Sequence, residues 1–171
     1  RTPLLFAAQS GHHEVVTALI AARANVDLAM NDGWTPLLFA AQSGHHEVVT
    51  ALLAADATVD QARNDGSTPL LYAAQNGHEA VVRALLQQGA DVNAVTDEKK
   101  EYEEDGTTAL MLAEENACLD VAKLLREHQG LRAPPDVMKS LSIDAYPDGR
   151  TERAAAKLRR EQQRQPECVS S

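Results

Sequence analysis

Two histidine pairs, His12-His13 and His45-His46, each followed by a glutamate (Glu14 and Glu47), are the residues whose types could hold a metal ion. Their spacing argues against it. Neighbouring residues on a helix or turn point apart, so one pair cannot close on an ion. The two pairs are 33 residues apart, and equivalent positions of stacked helical units lie about 10 Å apart, too far to share a metal. No HExxH pattern is present. The two cysteines, Cys118 and Cys168, have neither zinc spacing nor the pattern of a disulfide framework. Carboxylates are abundant, but a catalytic pair needs an enclosed site that drives two pKa values apart. No nucleophile elbow, Gly-rich phosphate loop or Cys-His arrangement appears. Enzymatic activity, a metal and a cofactor are therefore not expected.

The elements that position these residues follow from self-similarity. Thr2-Pro3-Leu4-Leu5-Phe6-Ala7-Ala8 returns 33 residues later from Thr35, and again from Thr68 with Tyr72 in place of the phenylalanine. A fourth copy begins at Thr108, 40 residues after Thr68, which requires a seven-residue insertion near 97–103. Within one unit, Thr35 is a helix N-cap, and Pro36 is tolerated at the first helical position because its missing N–H has no partner there anyway. The helix runs through Leu37, Leu38, Ala40 and Ala41 and stops at Gly44, which takes a left-handed conformation without a Cβ penalty. A second helix follows, with Val48, Val49, Leu52 and Leu53 on one side. Asn31-Asp32-Gly33 and Asn64-Asp65-Gly66 suit tight turns with positive φ at the tips of extended fingers. Such units cannot bury their own apolar faces and must lean on their neighbours. The fold class is thus an all-α helical repeat solenoid with hairpin-like fingers, filling residues 1–130 with about four units, the first incomplete. Only 4% of the chain is aromatic, which suits cores of Leu, Val and Ala.

The Thr-Pro-Leu starts, the Ala-Ala pairs, Gly11-His12, Gly44-His45, Gly77-His78, and Gly89-Ala90-Asp91-Val92-Asn93-Ala94 together resemble ankyrin repeats over residues 1 to about 130. The resemblance implies protein recognition through the finger tips and the concave ends of the first helices. Those positions are Asn31, Asp32, Trp34, Gln42, Ser43, Arg63, Asn64, Asp65, Ser67, Gln75, Asn76, Glu115 and Asn116. It also implies that the first histidine of each pair braces its turn. The histidine usual after Thr-Pro-Leu is Leu5, Leu38 and Leu71 here, so the hydrogen bond it makes is expected to be missing. Trp34 has no aromatic counterpart at Ser67 or Thr107, which suggests an anchor for a partner; the alternative is a ring lying flat on its own finger.

Ends and charge complete the reading. Arg1 directly precedes a capping Thr, and further repeats upstream are expected. Ala117 replaces the helix-ending glycine in the fourth unit, whose more polar second helix suits a terminal cap. Residues 1–130 carry 8 Lys+Arg against 19 Asp+Glu, a balance of -11, whereas residues 131–171 carry 8 against 6, or +2. The acidic repeats disfavour nucleic acid. The insertion, Asp97 to Glu103, reads first as a solvated charged loop with Tyr102 available for contact; the alternative is that Glu101, Glu103, Glu104 and Asp105 receive a basic segment of a partner protein. Ala133-Pro134-Pro135-Asp136 opens an irregular tail, 131–171, in which 151–165 has the composition of a short helix but too thin an apolar stripe to hold one alone, so disorder or folding on binding is expected there. No membrane span or signal core is present. A monomer is expected, in an intracellular compartment, cytoplasmic with the nucleus as alternative. The rival reading is a targeting or regulatory arm of a larger enzyme or channel.

Overall fold

A computed structural model describes residues 2–96 and 106–129. The expected insertion with Tyr102 and the tail with its 151–165 segment lie outside the described residues. Eight helices are seen among them: α1 (Pro3–Gln9), α2 (His13–Ala21), α3 (Pro36–Ser43), α4 (His46–Ala54), α5 (Pro69–Gln75), α6 (Glu79–Gln87), α7 (Ala109–Glu115) and α8 (Leu119–His128). They pair as four helix-turn-helix units. The first helices α1, α3, α5 and α7 pack side by side in one layer, and α2, α4, α6 and α8 in a second. The single β-bridge described, Val95 to Thr108, closes the base of the third finger. No helix among the described residues is long and apolar enough to cross a membrane.

Helices of seven to ten residues are marginal on their own, so capping and burial must hold them. Thr2, Thr35, Thr68 and Thr108 each accept a hydrogen bond from the backbone N–H three residues on, at 3.2 to 3.4 Å. Leu37, Leu52, Leu70 and Leu85 fill the space between layers, and the small Ala40, Ala41, Ala73 and Ala74 let consecutive first helices approach closely. Gly44 ends α3 at φ 77°. Ala117 holds the same left-handed conformation at φ 56°, so the fourth unit keeps the turn and carries its strain.

Side chains and backbone then tie one unit to the next. His45 Nε2–H donates to the Gln9 carbonyl at 3.1 Å, and His78 Nε2–H to the Gln42 carbonyl at 3.0 Å. The brace expected within a turn therefore reaches back to the preceding unit. Each imidazole lies against that unit's glycine: a Cβ on Gly11 would stand 2.6 Å from His45 Nδ1, and one on Gly44 2.6 Å from the His78 ring. In the fourth unit Cys118 occupies the histidine position, with its Sγ 4.0 Å from the Gln75 carbonyl, beyond a strong contact. Cys118→His is expected to restore the brace and stabilise the fold by about 1 kcal/mol, read as a higher urea midpoint at unchanged slope.

The segments leading into the fingers are stitched as well. Thr58 donates to Asp27 through its N–H (3.0 Å) and its hydroxyl (2.7 Å), and the Asp91 N–H donates to the Asp60 carboxylate at 3.1 Å. Burial pushes the Asp60 pKa above its ordinary 3.8; the bond from Asp91 opposes this and the Asp91 charge adds to it. A raised folded-state value means that Asp60 stabilises the fold below 3.8 and that this contribution is lost as pH rises through the folded value. Asparagine can still accept the Asp91 N–H without the partly desolvated charge next to Asp91. Asp60→Asn should therefore raise the urea midpoint at neutral pH, with the gain fading on acidification to about pH 3.

Candidate partner-binding face

The tips of the first two fingers are three-residue turns closed by glycine. Gly33 N–H donates to the Met30 carbonyl and Met30 N–H to the Trp34 carbonyl, both at 2.9 Å. Gly66 and Arg63 repeat the pattern with the Arg63 and Ser67 carbonyls. The positive φ expected across Asn-Asp-Gly falls on the glycines alone, at 88° for Gly33 and 78° for Gly66. The aspartates instead fold back on the chain: Asp65 Oδ1 accepts from the Ser67 N–H at 3.0 Å, and Asp32 Oδ1 from Trp34 at 3.5 Å. Asn64 Nδ2 donates to the Asn31 carbonyl at 3.1 Å, so adjacent tips are joined. Asn31, Asp32 and Asn64 remain exposed, whereas Ser67 is buried.

Trp34 neither stands free nor lies flat on its own finger. Its ring stacks on Phe39 with centroids 4.5 Å apart and on Tyr72 at 5.0 Å, filling the space between the second and third units. The Arg63 guanidinium lies 5.3 Å over the same ring. Arg63 Nη1 also donates to the Tyr72 hydroxyl at 3.2 Å and to Asp65 Oδ2 at 2.7 Å. The bond to Tyr72 raises the Arg63 pKa further above its ordinary value against the opposing effect of burial, with Asp65 and Asp32 adding to the rise. Arg63 is thus a fixed cation spanning two units.

Beyond this cluster opens a hollow of about 330 Å³. Arg63, Asp65 and Ser67 of the second finger, Leu71, Tyr72 and Gln75 of α5, Thr96 and Thr107 at the base of the third finger, and Leu112, Glu115 and Asn116 at the end of α7 form its lining. Gln42 and Ser43 sit one unit away at the end of α3, and Asn76 follows α5 with Nδ2 bonded to the Tyr72 carbonyl at 2.9 Å. Fingers and first-helix ends recur once per unit along one side. A model of the family described as ankyrin repeats in three copies matches residues 1–63 and again 55–137.

The chain belongs to the ankyrin-repeat family. Ankyrin repeats generally mediate protein–protein interaction and are typically without catalytic activity. A comparison with curated proteins gives no match. Among the described residues of this ankyrin array, no group of three or more His, Cys, Asp and Glu could hold a metal ion.

Six of the residues expected from the sequence, Arg63, Asp65, Ser67, Gln75, Glu115 and Asn116, come together around the hollow. Asn31, Asp32, Gln42 and Ser43 lie outside it, nearer the start of the array. Sequence reasoning missed Tyr72, Leu71, Leu112, Thr96 and Thr107. For Tyr72 a signal existed. It replaces Phe6 and Phe39 at a position the repeat fills with an aromatic ring, and its added hydroxyl requires a polar partner.

Proposed function

We propose that this ankyrin array is a protein-recognition module that takes its partner along the finger tips and the exposed ends of α3, α5 and α7. The observation carrying this is the hollow, where Arg63 and Asp65 of the second finger, Tyr72 and Gln75 of α5, and Glu115 and Asn116 at the end of α7 surround one opening. Hydrogen-bonding and charged groups around a small apolar floor suit selective docking of a peptide segment. The charge balance of -11 over residues 1–130 favours a segment carrying Lys or Arg. Affinity capture identifies the partner, and titration with variants tests the face. Gln75→Ala with Glu115→Gln is expected to weaken binding about tenfold or more, increasingly so at low salt, whereas Glu79→Ala with Arg83→Ala on α6 leaves it unchanged. The reverse pattern would place recognition on the second helices and sink the reading.

A further inference from the structure

The seat that holds Trp34 recurs one unit further along with smaller side chains. Trp34 lies between Phe39 and Tyr72, with the Arg63 guanidinium over its ring. Ser67, Tyr72 and Thr96 stand 33 residues after Trp34, Phe39 and Arg63, and Leu112 stands 40 after Tyr72, the same step as from Thr68 to Thr108. All four of these equivalents line the hollow of about 330 Å³. The backbone frame is the same in both places. Arg63 N–H donates to the Ser67 carbonyl at 2.9 Å as Met30 N–H does to that of Trp34, and Asp65 and Asp32 each accept from the N–H two residues on. Only bulk differs. The indole of Trp34, the phenol of Tyr72 and the guanidinium of Arg63 give way to the short side chains of Ser67, Leu112 and Thr96, and the hollow is the space so released.

Tyr72 belongs to both seats. Its ring stacks on Trp34 at 5.0 Å, and it also lines the hollow, which Trp34 does not. Arg63 holds its hydroxyl at 3.2 Å, so the platform is in place before a partner arrives. We infer that the hollow takes one aromatic side chain of the partner, a tryptophan, seated between Tyr72 and Leu112 as Trp34 is seated between Phe39 and Tyr72. This rests on the recognition face proposed above and names what enters it. An aliphatic side chain would fill the same space without the stacking contribution that rings add beyond burial. Charge sets what flanks the ring. Arg63 is already paired with Asp65 at 2.7 Å, Glu115 stands on the rim, and residues 1–130 carry a balance of -11, so the segment that brings the ring is basic.

A capped pentapeptide, Lys-Gly-Trp-Gly-Lys, titrated into the full chain and followed by amide chemical shifts, tests the seat directly. It should move the Ser67, Tyr72, Thr96 and Leu112 amides saturably and bind about threefold to tenfold more tightly than its leucine analogue. Ser67→Trp places the chain's own ring in the seat; it should abolish peptide binding and raise the urea midpoint. Leu112→Tyr rebuilds the pair of rings found around Trp34 and should tighten the tryptophan peptide about threefold or more while leaving the leucine analogue unchanged. That gain decides the matter if Ser67→Trp fails to fold.

The inference is overturned by the absence of saturable shifts at these amides, by tryptophan and leucine peptides that bind alike, or by a folded Ser67→Trp chain that binds the peptide as before. Shifts at Tyr72 and Leu112 caused by Tyr102→Ala without peptide would also overturn it, because a ring of the chain itself would then fill the seat. Any of these results leaves the recognition face standing if Gln75→Ala with Glu115→Gln still weakens binding of the captured partner. Loss of that effect removes the face, and the ring seat with it.

Discussion

Gly44→Ala should destabilise the array by about 2–3 kcal/mol, roughly twice the loss from Gly89→Ala. Both glycines sit at positive φ, 77° and 82°. Forcing an alanine into that conformation costs about 1–2 kcal/mol, and the partly offsetting entropy of a less flexible unfolded chain is the same at both sites. The surroundings differ. Nothing lies within 4 Å of a Cβ built on Gly89, whereas one on Gly44 would meet the His78 ring at 2.6 Å. The imidazole would have to leave the Gln42 carbonyl, which loses one inter-unit hydrogen bond, about 1 kcal/mol. In a His78→Ala background only the conformational cost should remain, so the two substitutions should couple in a double-mutant cycle. Equal losses for Gly44→Ala and Gly89→Ala in urea unfolding would show that the ring-on-glycine contact contributes nothing.

What the sequence made legible, and what it left hidden, divide along the same line. Thr35, Pro36 and Gly44 act through backbone groups three to five residues away, and Val48, Val49, Leu52 and Leu53 through helical period. These are local rules, so the helices and their burial could be read directly. His45 to Gln9, Thr58 to Asp27 and Asn64 to Asn31 span 31 to 36 residues, and each needs two units to be superposed first. With a 33-residue period the superposition was available. Placing Gly11 and Gln9 beneath His45 would have turned a brace expected inside one turn into a clasp between two. The positive φ misplaced on Asn and Asp has a different cause. A three-residue finger turn demands left-handed backbone only at its last position, where Gly33 and Gly66 stand. Of the residues expected at the recognition face, Arg63, Asp65, Ser67, Gln75, Glu115 and Asn116 line the hollow because of their shared place in the repeat. Tyr72 and Leu112 were passed over because they looked like core.

Trp34→Ala should cost about 3 kcal/mol of folding stability, because its ring joins the second and third units. Two stacked contacts, with Phe39 at 4.5 Å and Tyr72 at 5.0 Å, contribute about 0.5–1.5 kcal/mol each beyond burial. The Arg63 guanidinium over the ring contributes about 0.5–1 kcal/mol more. A half-buried ring loses less than a core tryptophan, which keeps the total near the lower end of the usual range for such truncations. Trp34→Phe keeps an aromatic surface between Phe39 and Tyr72 and should recover a large part of the loss. Trp34 is the one tryptophan in the chain, so its fluorescence in the parent protein reports opening between the second and third units directly. An unfolding midpoint unmoved by Trp34→Ala would mean that the stack holds nothing together. The expected loss also sets how affinity must be compared. Any weakening of partner binding in this variant has to be measured where it remains folded, and a deficit larger for Trp34→Ala than for an equally destabilising Gly44→Ala would assign the ring a contact with the partner.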